Sequence, residues 1–305
     1  MDLNNKYKLN YNKGDTLKLD IMKKWKIDKF DAVIGNPPYQ NSKGVSNGTL
    51  WDKFVFQALD NIKKLGYICF VHPSGWRNVS GKFKKIQEEI FKNNLKYLEI
   101  HNESDGIKIF KAETRYDWYV LQKNNKYKNT TIKFEDNKEM KIDVRKLEFI
   151  PNGQFDIVQK LLAKDNEERC NVLYSSSSYG CDKEWVSKIK NKKYKYPCIY
   201  TINSKSEPRL FYSYKSDGDG MNKKKLMWSN GRIKSIGSII DKDGKYGLTN
   251  YSYGIVDDVK NLKNIKKAFD SHNFRRIMEY CAVCQLTVNY KIIALFKKDF
   301  GKEFI

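Results

Sequence analysis

The chain of 305 residues is long enough for two domains of ordinary size, and with 40% hydrophobic residues it can build a buried core. Its formal net charge of +22 predicts attraction to a polyanion, and nucleic acid fits this better than a membrane surface. The sequence contains no apolar run that would span a bilayer and no recognisable signal peptide, so no membrane partner is expected.

The six cysteines are scattered along the chain. Cys281 and Cys284 form a single Cys-x-x-Cys pattern without a second pair or a nearby histidine, and no metal site is expected there. This cysteine usage favours a reducing, cytoplasmic compartment.

A short apolar run ends in four residues that are unusual in combination: Asn36, Pro37, Pro38 and Tyr39. We expect a buried strand over 32–34 that the two prolines terminate, because proline offers no ladder donor. Asn36 then lies at the carboxyl end of a strand, where open α/β sheets bind ligands. The stiff proline pair would hold the Asn36 side-chain oxygen and the Pro37 carbonyl as acceptors beside the Tyr39 ring. Such a pair suits an exocyclic amine on a planar ring.

The elements that follow alternate between helical and strand patterns. A polar segment over 40–49 predicts a lid loop, and the spacing over 50–59 predicts a helix ended by Lys63–Gly66. Further elements are a strand buried on both faces over 67–71, a helix over 83–91, and strands over 98–100 and 116–121. This alternation predicts an α/β fold with a largely parallel sheet for residues 1–150.

Residues 151–305 have a different character, with many Tyr and Lys and with turns marked by glycine. They predict a smaller mixed, β-rich domain, with hairpin corners at 228–233 and 241–248 and helices over 259–269 and 274–280. The basic, aromatic-rich stretches supply the candidate DNA-contact residues, which are Lys192, Lys193, Lys224, Asn230 and Arg232. A solvated lysine face is the alternative reading of the same stretches.

The order of these motifs resembles N6-adenine-specific DNA methyltransferases of restriction–modification systems with the gamma-type motif order. The residues that carry the resemblance are Asp31–Tyr39, a helix starting at Leu50-Trp51, the turn at Gly66, the next buried strand and the corner Pro73–Trp76. The resemblance extends over roughly residues 11 to 123. It implies a partial Rossmann-like methyltransferase sheet in 1–150 and a target-recognition domain in 151–305. It also implies S-adenosylmethionine as cofactor and double-stranded DNA as substrate.

The resemblance also implies roles for single residues. Asn36 and Pro37 would accept the two N6 hydrogens of a flipped adenine, and Tyr39 would stack on its ring. Trp118 and Tyr119 are candidates for the second stacking wall, on a strand that matches a later strand of the family. Asp15, in Gly14–Leu17, would bind the cofactor, and Phe54 would pack against it. Each of these residues has a plain structural alternative, which is a common turn for Asp15 and core packing for the aromatic residues.

One part of the family pattern is missing. The family carries a glycine-rich loop and a ribose-binding acid before the catalytic motif, and the roughly 30 residues before Asn36 contain no Gly-x-Gly. One βαβ unit alone needs about 30 residues. Three explanations are open at this point: a second subunit supplies the cofactor half, an upstream polypeptide of a split enzyme supplies it, or the chain is a degraded gene product. The alternatives are a DNA-binding specificity remnant without catalysis and, as a different enzyme class, a protein-glutamine methyltransferase.

Overall fold

The computed structural model describes residues 9–40, 48–79, 81–174, 177–284 and 286–304. The chain divides into two compact units of similar length, Met1–Ile150 and Pro151–Ile305. None of the described helices is both long enough and apolar enough to cross a membrane.

A six-stranded mixed sheet forms the centre of the first unit. Its strands are β1 (Phe30–Gly35), β2 (Ile62–Pro73), β3 (Asn94–His101), β4 (Tyr116–Gln122), β5 (Thr130–Lys133) and β6 (Glu139–Ile142). They lie in the order β1-β2-β4-β3-β5-β6. The helices of this unit are α1 (Ile21–Trp25), α2 (Trp51–Asn61), α3 (Lys84–Lys92) and α4 (Glu103–Phe110), with 3-10 turns at Thr16–Lys18, Ser74–Arg77 and Val144–Lys146.

The α/β class is confirmed, but the expectation of a largely parallel sheet is wrong. Only β1 with β2 and β3 with β5 pair in parallel. Strand β4 inserts between β2 and β3 and runs antiparallel to both. Alternation of helices and strands along the sequence does not reveal such an insertion, because a short helix between β3 and β4 is compatible with either direction.

The expectation that the strand before Asn36 is buried is also wrong. Within the described residues β1 pairs only with β2, and its other edge has no neighbouring strand. Ala32 is exposed, and Ile34 is 79% exposed. An apolar run therefore lies on the open edge of this sheet.

The boundary between α2 and β2 lies earlier than the sequence suggests. The segment Lys63–Gly66 belongs to β2 and does not cap the helix, because Ile62 is already extended and paired with Phe30. Gly66 is needed for a close approach of two strands: a Cβ there would lie 2.8 Å from the Asp31 carbonyl oxygen. Lys63 faces the same strand and pairs with the Asp31 carboxylate at 2.8 Å.

Polar and aromatic side chains pack together around β2 and β4 in the first unit. The Trp51 ring stacks on His72 at 4.2 Å, and the His72 Nε2 atom lies 3.2 Å from the Tyr119 hydroxyl. Asp117 accepts hydrogen bonds from Arg77 Nε at 2.7 Å and from Trp76 Nε1 at 3.0 Å, with both charged side chains fully buried. The corner Pro73–Trp76 is thereby fixed to β4.

The second unit contains two four-stranded sheets and is β-rich, as predicted. The strands are β7 (Val172–Leu173), β8 (Val186–Ser187), β9 (Tyr196–Ile202), β10 (Pro208–Ser213), β11 (Lys225–Ser229), β12 (Ser238–Asp241), β13 (Gly247–Leu248) and β14 (Ser252–Val256). Their order is β13-β9-β10-β8 in one sheet and β12-β11-β14-β7 in the other. The remaining elements are α5 (Phe155–Leu161), α6 (Val259–Asp270), α7 (His272–Cys281), α8 (Tyr290–Ile293) and 3-10 turns at Ile233–Ser235 and Phe300–Phe304.

One of the two expected hairpins is present. Strands β11 and β12 pair in antiparallel fashion around the corner at 228–233. The segment 241–248 does not form a hairpin, because β13 leaves that sheet and pairs with β9 of the other one. The turn is held instead by Asp241, whose carboxylate accepts the Lys245 and Tyr246 amides and pairs with the buried Lys225.

Candidate functional site

The motif residues follow directly after β1. Gly35 is the last residue of the strand and pairs with Phe70 of β2, which fixes the place where Asn36 begins. Pro37 is buried, and Asn36 is exposed. The Asn36 carboxamide has no hydrogen-bond partner among the described residues, so its oxygen is available to a ligand.

A cleft of about 800 Å³ lies on one side of the motif. Its lining includes five of the residues singled out from the sequence, which are Asp15, Asn36, Pro37, Pro38 and Phe54. The volume lies within the range of small-molecule sites, which is roughly 300–1,000 Å³. The structure therefore brings predicted site residues into one cleft although the first, Asp15, and the last, Phe54, are 39 positions apart in the sequence.

Asp15 occupies the start of a short turn that lines this cleft. Its Oδ1 atom accepts the Leu17 amide at 3.0 Å, which caps the 3-10 turn. Its Oδ2 atom lies 3.9 Å from the exposed Lys18 ammonium. The Gln57 side chain donates to the Thr16 carbonyl and ties the turn to α2. Asp15 can therefore cap the turn and bind a ligand at the same time. One carboxylate oxygen accepts the capping amide, and the other has only a distant, exposed ammonium group as its neighbour.

Phe54 lies on the face of α2 that lines the cleft, together with Leu50 and Ala58. The buried face of this helix is set by Trp51, Val55 and Leu59. Phe54 is therefore only half-buried, and its ring is not fully used in the core. This placement separates it from an ordinary core phenylalanine.

A second cleft, of about 630 Å³, also borders the motif. Asn36, Pro37 and Pro38 line both clefts, whereas Tyr39 lines only this second one. Phe110, the last residue of α4, is part of its wall. The motif thus borders two ligand-sized spaces, and Asn36 lines both.

Two aromatic side chains meet in the second cleft. The Tyr39 and Phe110 rings are 6.0 Å apart, edge to face, and Phe110 in turn contacts Tyr116 at 4.9 Å. The Tyr39 hydroxyl is buried and has no hydrogen-bond partner within the described part of the chain. Burial, followed by the charges of Tyr116 and Asp117, raises the pKa of Tyr39 to about 12. The ring therefore stays neutral and offers a flat face.

The two residues expected to form the second stacking wall lie elsewhere. Tyr119 is fully buried against His72, and the Trp118 ring packs on Tyr97 at 4.9 Å. Neither lines either cleft in the described structure. Sequence reasoning missed Phe110, although an aromatic residue shortly before the Tyr116 strand was a usable signal.

The predicted lid over 40–49 lies mostly outside the described residues, since 41–47 are not described. Its two ends are joined: Gln40 and Thr49 form an isolated β-bridge, and the Leu50 amide donates to the Tyr39 carbonyl at 3.2 Å. The start of α2 is thereby connected directly to the motif.

The five candidate DNA contacts are all exposed. Lys192 and Lys193 lie in the loop between β8 and β9, where the Lys193 ammonium is 4.8 Å from the Tyr214 ring. Lys224 and Asn230 flank the two ends of β11, which is buried along its whole length. About six residues of extended chain separate these two by roughly 20 Å. The candidate residues around β11 therefore lie at two separate places on the surface. Lys224 is at one end of the strand, and Asn230 and Arg232 are at the other.

Residues 2–110 match the family described as "Eco57I restriction-modification methylase". An "Uncharacterized adenine-specific methylase" of Mycoplasma pneumoniae is 33% identical over 85 residues, which make up 26% of this chain and 20% of that protein. The match thus spans about a fifth of the relative's length. Among solved structures, the type IIL restriction-modification enzyme MmeI in complex with DNA has a TM-score of 0.45 and 12% identity, covering 83% of this chain and 45% of that one. The type IIG restriction endonuclease BpuSI has a TM-score of 0.38 and 9% identity, with coverages of 95% and 50%.

The family match confirms the resemblance to restriction–modification methylases over residues 2–110. The matched segment contains all lining residues of the first cleft, and all those of the second except Ala112, Glu113 and Thr114. The segment that follows residue 110 lies outside this match.

Proposed function

We propose that this chain carries the methyl-transferring site of a DNA adenine N6-methyltransferase that uses S-adenosylmethionine. The observation that carries the proposal is that the motif borders two ligand-sized clefts, with Asn36 lining both and its carboxamide unpaired within the described residues. Group transfer requires two reactants that meet at one point, and this arrangement provides a separate space for each.

The chemistry follows from the nature of the acceptor nitrogen. The lone pair of adenine N6 is delocalised into the ring, so the amine is a poor nucleophile. The Asn36 side-chain oxygen and the Pro37 carbonyl would accept its two hydrogens, which favours a more tetrahedral nitrogen with a localised lone pair. Fixed acceptors of this kind act by positioning and electrostatics, and no strong general base is needed.

The second cleft would hold the adenine. A base in a duplex must leave the stack to reach such a site, and aromatic rings then replace its stacking partners. We propose Tyr39 and Phe110 as the two faces, since their rings already meet in this cleft at 6.0 Å. An adenine would enter between them by separating the two rings. Trp118 and Tyr119 would instead keep β4 packed behind the site.

The first cleft would hold the cofactor. S-adenosylmethionine supplies an electrophilic methyl group on a sulfonium centre. The residues present fit such a molecule, because Asp15 offers an acceptor to an amine and the half-buried Phe54 offers a ring face to a nucleobase. The cleft volume of about 800 Å³ is sufficient for a ligand of this size.

The test is the Asn36→Ala variant, assayed for transfer of labelled methyl from S-adenosylmethionine to duplex DNA. We expect transfer to fall below detection, while DNA affinity and the free energy of unfolding change little, because the side chain is exposed and unpaired. Asn273→Ala, at an exposed asparagine of the other unit, is the matched control and should keep wild-type activity. Transfer retained by Asn36→Ala would refute the proposed site.

We further propose that the second unit binds duplex DNA through its exposed cations and acts as the target-recognition domain. Lysines at phosphates release counterions, so the affinity should fall steeply as salt rises. Lys192 and Lys193 would meet phosphates, as would Lys224, whereas Asn230 and Arg232 would reach base edges. An affinity for duplex that does not depend on salt would exclude these phosphate contacts.

Finally, we propose that a second polypeptide segment pairs with the open edge of β1 and completes the cofactor cleft. The free edge supplies unpaired backbone donors and acceptors, and the exposed Ile34 supplies an apolar contact directly before the motif. Ile34→Glu should raise the KM for S-adenosylmethionine in the completed enzyme and leave the fold of this chain unchanged. An unaltered KM would exclude this edge as the docking strand.

A further inference from the structure

The loop between β8 and β9 presents one apolar side chain among cations. Ile189 is 72% exposed, whereas the next most exposed large apolar residues among the described residues of this unit, Ile157 and Tyr251, are each 42% exposed. Single exposed apolar residues are common on protein surfaces and need no explanation by themselves. The setting of Ile189 is what distinguishes it.

The loop is strongly and uniformly basic. Its exposed lysines are Lys188, Lys190, Lys192, Lys193 and Lys195. In the described structure none of them forms an ion pair with a carboxylate. The nearest acidic residues in the sequence, Asp182 and Glu184, precede β8, and in the described structure neither carboxylate pairs with a lysine of the loop. Ile189 is therefore surrounded along the chain by cations that no protein anion neutralises, which suits a polyanionic partner.

The loop has a defined shape. The Ser187 hydroxyl accepts the Ile189 amide at 3.0 Å and donates to the Ile189 carbonyl at 3.2 Å. The Asn191 side-chain oxygen accepts the Lys193 and Tyr194 amides at 2.9 and 2.8 Å. These bonds fix the backbone on both sides of Ile189.

The far end of the loop is anchored on aromatic rings. The Tyr194 hydroxyl donates to the Glu184 carbonyl at 2.8 Å, and the Tyr194 ring lies 5.6 Å from that of Tyr214. The Lys195 amide donates to the Ser213 carbonyl at 3.1 Å, which attaches the loop to the end of β10. Ile189 is thus presented from a fixed base and does not depend on a partner to order the loop.

We propose that Ile189 is an apolar wedge that enters between base pairs of duplex DNA from the minor groove, while the flanking lysines contact phosphates. This inference rests on the proposed action on duplex DNA and adds a deformation of the duplex to it. Proteins that kink DNA insert an aliphatic side chain at a base step and hold the bent backbone with cations. A fixed aliphatic side chain between unpaired lysines meets both requirements.

The test uses the full chain without cofactor and follows two quantities. The first is the affinity for a duplex over a salt series, and the second is the bend of that duplex, measured by energy transfer between dyes on its ends. For Ile189→Ala we expect roughly tenfold weaker binding and loss of the bend, with an unchanged salt slope. For Lys190→Ala we expect the bend to remain and the slope to fall by about 0.9. Ile157→Ala, an exposed isoleucine outside the loop, should match the wild type in affinity, salt slope and bend.

The outcomes separate this inference from the proposed function. If Ile189→Ala bends DNA as the wild type does, or the wild type does not bend it, the wedge is refuted whether or not methyl transfer occurs. If the wild type bends DNA through Ile189 but transfers no methyl group, only the proposed catalysis fails. If Ile189→Ala loses affinity for vesicles of anionic phospholipid but not for DNA, the loop is assigned to a lipid surface and the wedge is likewise refuted.

Discussion

Strands β1 and β4 belong to the same sheet, but β1 lies at its edge and β4 lies in its interior. Strand β4 is internal, and its Asp117 forms a fully buried pair with Arg77. Strand β1 lies at the edge, and its Asp31 pairs with Lys63 at the surface. The two carboxylates have similar distances to their cations, 2.7 and 2.8 Å, and differ mainly in burial.

The comparison shows how the site is supported. The motif follows the less protected strand, so its position depends on β2 behind it and on the bond between the Leu50 amide and the Tyr39 carbonyl. The internal strand supplies rigidity and contributes Tyr116, which contacts Phe110 at the rim of the second cleft. The internal strand β4 thus supports the site, whereas the edge strand β1 carries the motif.

The largest effect should come from breaking the buried pair. Arg77→Met leaves the Asp117 carboxylate buried without its cation, and we expect the free energy of unfolding to fall by about 3–5 kcal/mol. Urea unfolding followed by circular dichroism measures this. Adding Asp117→Asn should restore part of the loss, because the uncompensated charge is then removed. A loss below about 1 kcal/mol would mean that the pair is not buried as described.

The next effect is a dependence on pH that originates at His72. Burial lowers the pKa of His72 to about 4 from an ordinary 6.5, so the unfolded chain binds a proton at a higher pH than the folded one. The neutral, buried imidazole therefore contributes to the free energy of unfolding fully above pH 6.5. This contribution is lost as the pH falls towards 4, by about 3 kcal/mol in total.

His72→Gln keeps a polar side chain opposite Tyr119 and removes the titration. The difference in unfolding free energy between wild type and variant should therefore vary between pH 6.5 and 4 and be constant above it. A difference that does not vary with pH in this window would contradict the burial of a neutral imidazole.

A smaller effect is expected at the wall of the second cleft. Stacking of a base on an aromatic ring contributes about 1–3 kcal/mol, so Phe110→Ala should lower kcat/KM for duplex roughly 5- to 150-fold. Phe110→Tyr should retain the activity, and Phe110→Leu should not, because the flat face is what matters. If Phe110→Ala kept wild-type activity and Trp118→Ala lost it, the second stacking residue would be Trp118 on β4 and not Phe110.

The smallest effect should come from the edge pair. Lys63→Met removes the partner of Asp31, but both side chains are largely exposed and solvent screens their interaction. We expect the unfolding free energy to stay within experimental error of the wild type. A loss as large as that of Arg77→Met would show that the edge of β1 is covered in the isolated chain.

The motif could be read from the sequence, because Asn36–Tyr39 joins rare residue types whose conformations are restricted. The helix over 50–59 and the strands over 98–100 and 116–121 were also predictable from their periodicity. The same periodicity did not reveal that Ile34 is exposed, because an apolar run looks alike at an edge and in the middle of a sheet. Burial of a strand depends on which strands pair with it, and that information is not local.

The second wall of the site shows a different limit. Trp118 and Tyr119 were chosen because their strand resembles a later strand of the family that supplies the second wall of the base pocket. Strand β4, however, lies beyond β2, and the register places Tyr119 opposite Phe70 in the core. Phe110 reaches the motif from the end of α4, and such a placement depends on the path of the chain between two strands.

The most direct test of the central claim identifies the methylated atom. The wild-type chain is incubated with duplex DNA and a high concentration of labelled S-adenosylmethionine, and the DNA is then digested to nucleosides. The account predicts label in N6-methyladenine, and none when Asn36→Ala replaces the wild type. Label in another nucleoside, or in a glutamine-containing protein substrate but not in DNA, would contradict it.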